Sequence, residues 1–214
     1  MGLMPDSDRS PGGDLWGSLA VTYRWQEPLQ RRSVTALLGV LAPGPHEVVL
    51  DVGAGIGLVA RRLRAPVPTL AAVEPSPGML AAADYLGAPA LRADVTALPV
   101  HASSVDVVTA SWVLHVLDAG QRRLAVAEIA RVLRPGGRLG LVVPAVPRTA
   151  LQQLARGTAR RVAELRGLGA FTVPVDLPGL LTDCGLQVRH HARTGRGYLA
   201  DVVVCTRAST GAAA

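Results

Sequence analysis

The sequence predicts a doubly wound α/β domain, a mostly parallel β-sheet with helices on both faces. Three observations predict it. Short apolar runs alternate with helical segments between residues 47 and 143, at the spacing of strand–helix units. The first of these runs ends in a glycine-rich turn, Asp51-Val52-Gly53-Ala54-Gly55-Ile56-Gly57, and such folds bind ligands at the carboxyl ends of their strands. Two β-rich runs near the end of the chain flank Gly195-Arg196-Gly197, which predicts an antiparallel pair.

Each element has its own local reason. Glu47–Val52 is a short apolar run ending in Asp-x-Gly and suits a buried parallel strand; Leu58–Leu63 is expected to continue as helix. Thr69–Val73 reads as the second strand. Ser76-Pro77 then starts a helix, because serine caps free N–H groups and proline is tolerated at the first helical position. That helix is expected to reach about Tyr85, with Gly87 beyond it. Ala90–Arg92 makes a short third strand and Val105–Ala110 a fourth, β-branched one. Gln121–Leu133 carries Leu124, Ala127, Ile129, Ala130 and Leu133 on one face and is expected to stop at Pro135-Gly136-Gly137; Arg138–Val143 follows as the fifth strand.

The last third predicts helices over Thr149–Arg166 and Pro178–Cys184, the latter ended by Gly185, then the paired strands Leu186–His191 and Tyr198–Thr206. An N-terminal helical element spans roughly Glu27–Leu41. Trp16, Tyr23 and Trp25 precede it, either as a cap over a pocket or as a staple of that helix to the core. The division expected is a lead-in over residues 1–14, a single domain over 15–207, and a tail over 208–214, both ends disordered. Within the domain, 15–45 forms a helical cap, 46–144 the ligand-binding core, 145–185 the acceptor-side helices and 186–207 the closing hairpin.

Composition excludes more than it identifies. The chain has 214 residues, of which 49% are hydrophobic and 18% charged, enough for one domain with a substantial core. No secretory signal or membrane span is expected, so the protein is expected in the cytoplasm. Cys184 and Cys205 are too few for a disulfide framework or a zinc site, and no metal is expected. The net charge of +6 comes entirely from arginine, with no lysine in the chain. The arginines are dispersed, as on solvated helix faces, so the charge does not decide for nucleic acid.

The glycine-rich turn narrows the ligand. A dinucleotide fingerprint would need a third glycine at position 58, which is Leu58; this turn is G-x-G-x-G and follows an acid, Asp51. An acid there would repel a pyrophosphate and suits a ligand with a positive end, such as the ammonium and sulfonium of S-adenosylmethionine. Glu74, after the second strand, can accept hydrogen bonds from both hydroxyls of a ribose. Asp94, after the third, is suited to an exocyclic amine such as that of adenine. An isolated Asp94 would more often be a loop or cap residue, but three acids after three successive strands form a set.

Five segments in order, VVLDVGAGIG, AAVEPSPGML, RADVTALPV, SVDVVTASWVLHVL and RVLRPGGRLGLVVP, resemble the class I S-adenosylmethionine-dependent methyltransferases. Within them the resemblance is to the small-molecule group related to ubiquinone and menaquinone biosynthesis, over about Val48–Val143. It implies a Rossmann-like seven-stranded sheet with the last strand antiparallel. It also implies that Asp51, Gly53, Ala54, Gly55 and Gly57 border the methionine part and that Glu74 holds the ribose. Pro75 and Met79 would flank the adenine, Asp94 and Val95 would meet its edge, and Ser111 would sit beside the methionine end.

Methyl transfer from a sulfonium asks the protein for alignment and exclusion of water. His115, just beyond the fourth strand, is the candidate general base, or else a histidine that packs and orients its loop. Trp112, with Tyr23 and Trp25, is a candidate wall of the acceptor pocket; Trp112 reads equally as core. Thr109-Ala110-Ser111-Trp112 lacks the Asn/Asp-Pro-Pro-Tyr pattern of amide and nucleobase N-methylation, and no carboxylate set of a catechol-type metal site stands out. The expected acceptor is a small molecule methylated on O, N or C, by a monomer or homodimer. The alternatives are an RNA or protein methyltransferase, and a methyltransferase-like protein that binds the cofactor without transferring methyl.

Overall fold

The computed structural model describes residues 14–63, 69–146, 149, 177–195 and 199–209. In chain order the elements are α1 (Leu15–Leu41), β1 (Val48–Val52), β2 (Thr69–Val73), α2 (Pro77–Ala82), β3 (Ala90–Leu91), β4 (Val105–Ser111) and a 3-10 turn (Leu114–Val116). There follow α3 (Ala119–Val132), β5 (Leu133–Pro144), α4 (Leu177–Asp183), β6 (Leu186–Thr194) and β7 (Ala200–Arg207). The seven strands form one sheet in the order β3-β2-β1-β4-β5-β7-β6. β1 to β5 pair in parallel, and β7 is antiparallel to both of its neighbours. The expected seven-stranded, mostly parallel sheet with its antiparallel last strand is therefore present.

The strand order reverses between β1 and β4, since the chain steps from β1 outward to β2 and β3 and then returns to the other side of β1. Parallel folds open a crevice at that switch point, outside the carboxyl ends of the strands. The core divides by strand alternation. Leu50, Val52, Val108, Ala110, Leu139 and Leu141 pack with Ile129, Leu181 and Leu186 under α3 and α4. Val49, Val107 and Val142 face the other way, against Leu37 and Leu41 of α1. α1 lies so close to the sheet that a Cβ on Gly140 would meet the side chains of both leucines. Arg138 fastens the lower edge by donating to both Glu47 oxygens at 2.9 and 2.8 Å and to the Leu41 carbonyl at 3.1 Å.

Several boundaries differ from the sequence reading. α1 begins at Leu15, twelve residues before the expected Glu27, and takes in Trp16, Tyr23 and Trp25; Asp14 is its N-cap, accepting from the Gly17 N–H at 2.8 Å. Asp14 thus belongs to the fold and not to a lead-in. Leu58–Leu63 forms successive turns and not a helix, with the Arg61 N–H donating to the Gly57 carbonyl at 3.1 Å and the Leu63 N–H to the Val59 carbonyl at 2.9 Å. α2 stops at Ala82, where Ala83 turns to extended backbone, and not at Tyr85. β3 lacks Arg92, and β4 extends to Ser111. α3 starts at Ala119, because Asp118 and Gln121 form a reciprocal capping box. It ends at Val132, and Pro135-Gly136-Gly137 lies within β5, where pairing with β4 shifts between Val105 and Val107. The helix expected over Thr149–Arg166 lies outside the described residues but for Thr149, which is a bend.

Candidate cofactor site at the switch point

Asp51 is 2% exposed, and its β1–β4 register partner is Thr109. The Thr109 hydroxyl donates to Asp51 Oδ1 at 2.6 Å, while Asp51 Oδ2 is buried with no hydrogen-bond partner among the described residues. Burial pushes the Asp51 carboxyl up to about 7; the Thr109 bond opposes that rise and the charge of Glu74 adds to it. Glu74 sits at the end of β2, where it accepts from the Gly55 N–H at 2.9 Å and the Ser76 N–H at 3.0 Å. Burial raises its carboxyl too, against those two bonds. Two acids held together out of water make a site that favours a cation.

The turn between them is shaped by its glycines. All three have positive φ, and a Cβ on Gly53 would strike Val113, while one on Gly57 would strike the carbonyl oxygen of Asp84. Above Gly55, by contrast, a Cβ would meet nothing within 4 Å. The Tyr85 hydroxyl donates to the Gly55 carbonyl at 2.6 Å, and the Ala54 N–H donates to the Val73 carbonyl at 3.1 Å. The turn is pinned from below and from one side, with its outer surface open.

Beyond Glu74, Met79 is buried against Ala20 and Ile56, and Pro75 is exposed at the rim. The first turn of α1 crosses here. Asp14 accepts the Ser76 hydroxyl at 2.7 Å and the Gly78 N–H at 2.6 Å, and the Gly17 and Gly78 backbones pack in contact. Val95 is buried, while Asp94 is exposed and spends Oδ1 on the Thr96 N–H and hydroxyl at 2.8 and 2.7 Å.

Ser111, Trp112 and His115 stand on the other flank, after β4. Ser111 Oγ is buried and has no partner among the described residues. Trp112 adopts φ 62°, an uncommon conformation for a bulky residue and of the kind that clusters at functional sites. Its ring is buried in the cluster under α1, edge-on to His115 at 5.8 Å between centroids. His115 is 3% exposed, and burial, helped by the charge of Arg122, pushes its pKa down to about 4. Its imidazole is therefore neutral at neutral pH. The side chains of Tyr23 and Trp25 lie outside the described residues, although their backbone belongs to α1.

The structure thus brings Asp51, the glycine turn, Glu74, Met79, Ser111 and His115 to one edge of the sheet. It adds Asp14, Tyr85 and Thr109, which the sequence reading passed over. For Thr109 there was a signal, a hydroxyl in the apolar run Val105–Ala110; Asp14 and Tyr85 act across distances that periodicity does not report. Among the described residues no cluster of three or more His, Cys, Asp or Glu could hold a metal, and no helix is long and apolar enough to cross a membrane.

The residues present fit S-adenosylmethionine. An unpartnered carboxylate oxygen would suit a positive end, a second carboxylate retains lone pairs for hydroxyls, and the open turn would admit a ligand lying on backbone. Fold and site define a doubly wound protein with a nucleoside-type cofactor crevice. The methyltransferase domain family model matches residues 50–141, the segment that carries this crevice. A malonyl-[acyl-carrier protein] O-methyltransferase of Enterobacter lignolyticus is 31% identical over 193 residues, covering 86% of this chain and 74% of the relative. A demethylmenaquinone methyltransferase of Mycobacterium sp. is 38% identical over 115 residues, covering 53% of this chain and 47% of the relative. The chain spans about half the length of several of the relatives it matches. Among solved structures, the magnesium protoporphyrin IX methyltransferase of Synechocystis with bound S-adenosylhomocysteine superposes with a TM-score of 0.65 at 20% identity, covering 88% of this chain and 84% of that one. The chain belongs to the class I S-adenosylmethionine-dependent methyltransferases, and its cofactor is S-adenosylmethionine.

Proposed function

We propose that the protein transfers the methyl group of S-adenosylmethionine to an O, N or C nucleophile of a small molecule. The observation that carries this reading is the pair of buried acids, Asp51 and Glu74, on either side of an open glycine turn at the switch point. In this reading Glu74 accepts the ribose hydroxyls, and Asp51 with Gly53, Ala54, Gly55 and Gly57 borders the methionine part. Pro75 and Met79 flank the adenine, Asp94 and Val95 meet its edge, and Ser111 offers its free Oγ at the methionine end. Tyr23, Trp25 and Trp112 shape the acceptor side.

The bound cofactor supplies a methyl on an activated sulfonium, so the chain's own contribution is alignment and dryness. His115 holds a neutral imidazole with Nδ1 unpartnered among the described residues. With a pKa near 4 it is a weak base, best matched to an acceptor that sheds its proton late in the transfer.

Incubation with labelled S-adenosylmethionine and a producer-cell metabolite extract tests the proposal. A labelled small product is expected. Label only in RNA or protein would replace it with a macromolecular acceptor, and cofactor binding without any labelled product would leave a binding protein. Once a product is found, His115→Ala is expected to lower turnover by about 10²-fold with cofactor affinity unchanged; full turnover would remove His115 from the chemistry.

A further inference from the structure

Thr109 is 0% exposed in the middle of β4, between Val108 and Ala110. A valine would fill the same volume without a buried hydroxyl, so packing does not explain the residue. Its single hydroxyl proton goes to Asp51 Oδ1, across a parallel ladder that fixes the two residues as neighbours at the switch point. With Oδ1 held, the carboxylate plane is set and Oδ2 is the oxygen left to act.

We propose that Thr109 is a positioning residue for the methyl donor: it orients the Asp51 carboxylate so that Oδ2 receives the ammonium of S-adenosylmethionine. This rests on the reading of Asp51 as the neighbour of the methionine part. The same hydrogen bond favours the ionised carboxylate, against the burial that raises its pKa to about 7. Glu74, at the end of β2, and Tyr85 are the titratable groups coupled to Asp51. α1, packed across this face, contributes Glu27, which is paired with Arg61 and Arg62. The Asp51–ammonium pair needs an ionised carboxylate and a protonated α-amino group, so affinity rises with pH through the Asp51 pKa and falls again as the ligand's ammonium deprotonates at about pH 8. Loss of the Thr109 bond moves that rise to higher pH.

The test is calorimetric titration of the full chain between about pH 6 and pH 9, the range that brackets the carboxyl's transition. The probes are S-adenosylmethionine and 5′-methylthioadenosine, which keeps the nucleoside and lacks the amino-acid end. Thr109→Val is expected to weaken S-adenosylmethionine about tenfold at neutral pH, with a lower affinity maximum displaced to higher pH. Methylthioadenosine affinity should stay constant, and Thr109→Ser should restore the original profile. Thr109→Ala provides a second deletion of the hydroxyl should the valine variant fold poorly. If the deletions match the unmodified protein while Asp51→Asn weakens S-adenosylmethionine, the Thr109 proposal is overturned and the site reading stands. Equal losses for both probes would also overturn it, as a general structural effect. If Asp51→Asn too leaves S-adenosylmethionine affinity intact, the assignment of Asp51 itself fails.

Discussion

Glu74→Ala is expected to weaken S-adenosylmethionine binding by about 10²-fold while leaving a folded protein. Two hydrogen bonds from ribose hydroxyls to a carboxylate are at stake, each worth roughly 1.5–3 kcal/mol because the acceptor is charged. The substitution also releases the Gly55 and Ser76 N–H groups, so the turn loses the anchor that keeps it shaped before any ligand arrives. Stability is pulled both ways, since the freed N–H groups lose their acceptor while the cost of a buried carboxylate goes. Burial raises the Glu74 carboxyl above its ordinary value of 4.5, so the folded chain holds its proton more tightly than the unfolded chain. Such a group costs stability once the pH passes its folded-state pKa, and deleting it removes that cost at neutral pH. Titration calorimetry and a thermal melt on the same sample separate the two effects. Unchanged affinity would take Glu74 out of the cofactor site. Lost affinity with a collapsed melting temperature would assign the residue to the fold instead.

The succession of strands along the chain was legible because most of them are apolar runs with an acid or a turn at their end. β2 lies where the sequence places it, Thr69–Val73. Asp51 and Glu74 stood out for the same reason: an ionisable residue closing an apolar strand has little structural motive. The misread boundaries are those where a local signal and a tertiary contact disagree. The N-terminal helix was expected from about Glu27, yet α1 begins twelve residues earlier and runs through Pro28, because Asp14 caps it at Leu15 and clasps α2. Pro135-Gly136-Gly137 looks like a full stop, yet the ladders on either side draw it into β5. The partners of the acids were illegible for a deeper reason. Thr109 meets Asp51 only if β1 and β4 are neighbours, and Tyr85 reaches Gly55 only after α2 folds back. Neither fact has a period in the sequence.

Gly57→Ala is expected to lower the melting temperature by about 5–10 °C, and Gly55→Ala by only the few degrees that backbone strain costs, about 2–5 °C, while reducing cofactor affinity. Both glycines have positive φ, 87° at Gly57 and 53° at Gly55, so each alanine bears about 1–2 kcal/mol of backbone strain. What differs is the space above them. At Gly57 the new Cβ meets the Asp84 carbonyl, with the Tyr85 ring beside it, and main chain has to move to admit it. Strain and displacement together reach about 2–4 kcal/mol, and at this chain length each kcal/mol is worth about 2–4 °C. At Gly55 the Cβ enters open space, so the fold tolerates it, but a cofactor lying on the turn would have to share that volume. Thermal melts with and without S-adenosylmethionine distinguish the cases: the Gly57 variant should melt early in both, and the Gly55 variant should lose chiefly the shift that the cofactor confers. A Gly55 variant that keeps the full ligand-induced shift would mean that the cofactor does not lie on the turn, and Asp51 and Glu74 would then need another account of why they face it.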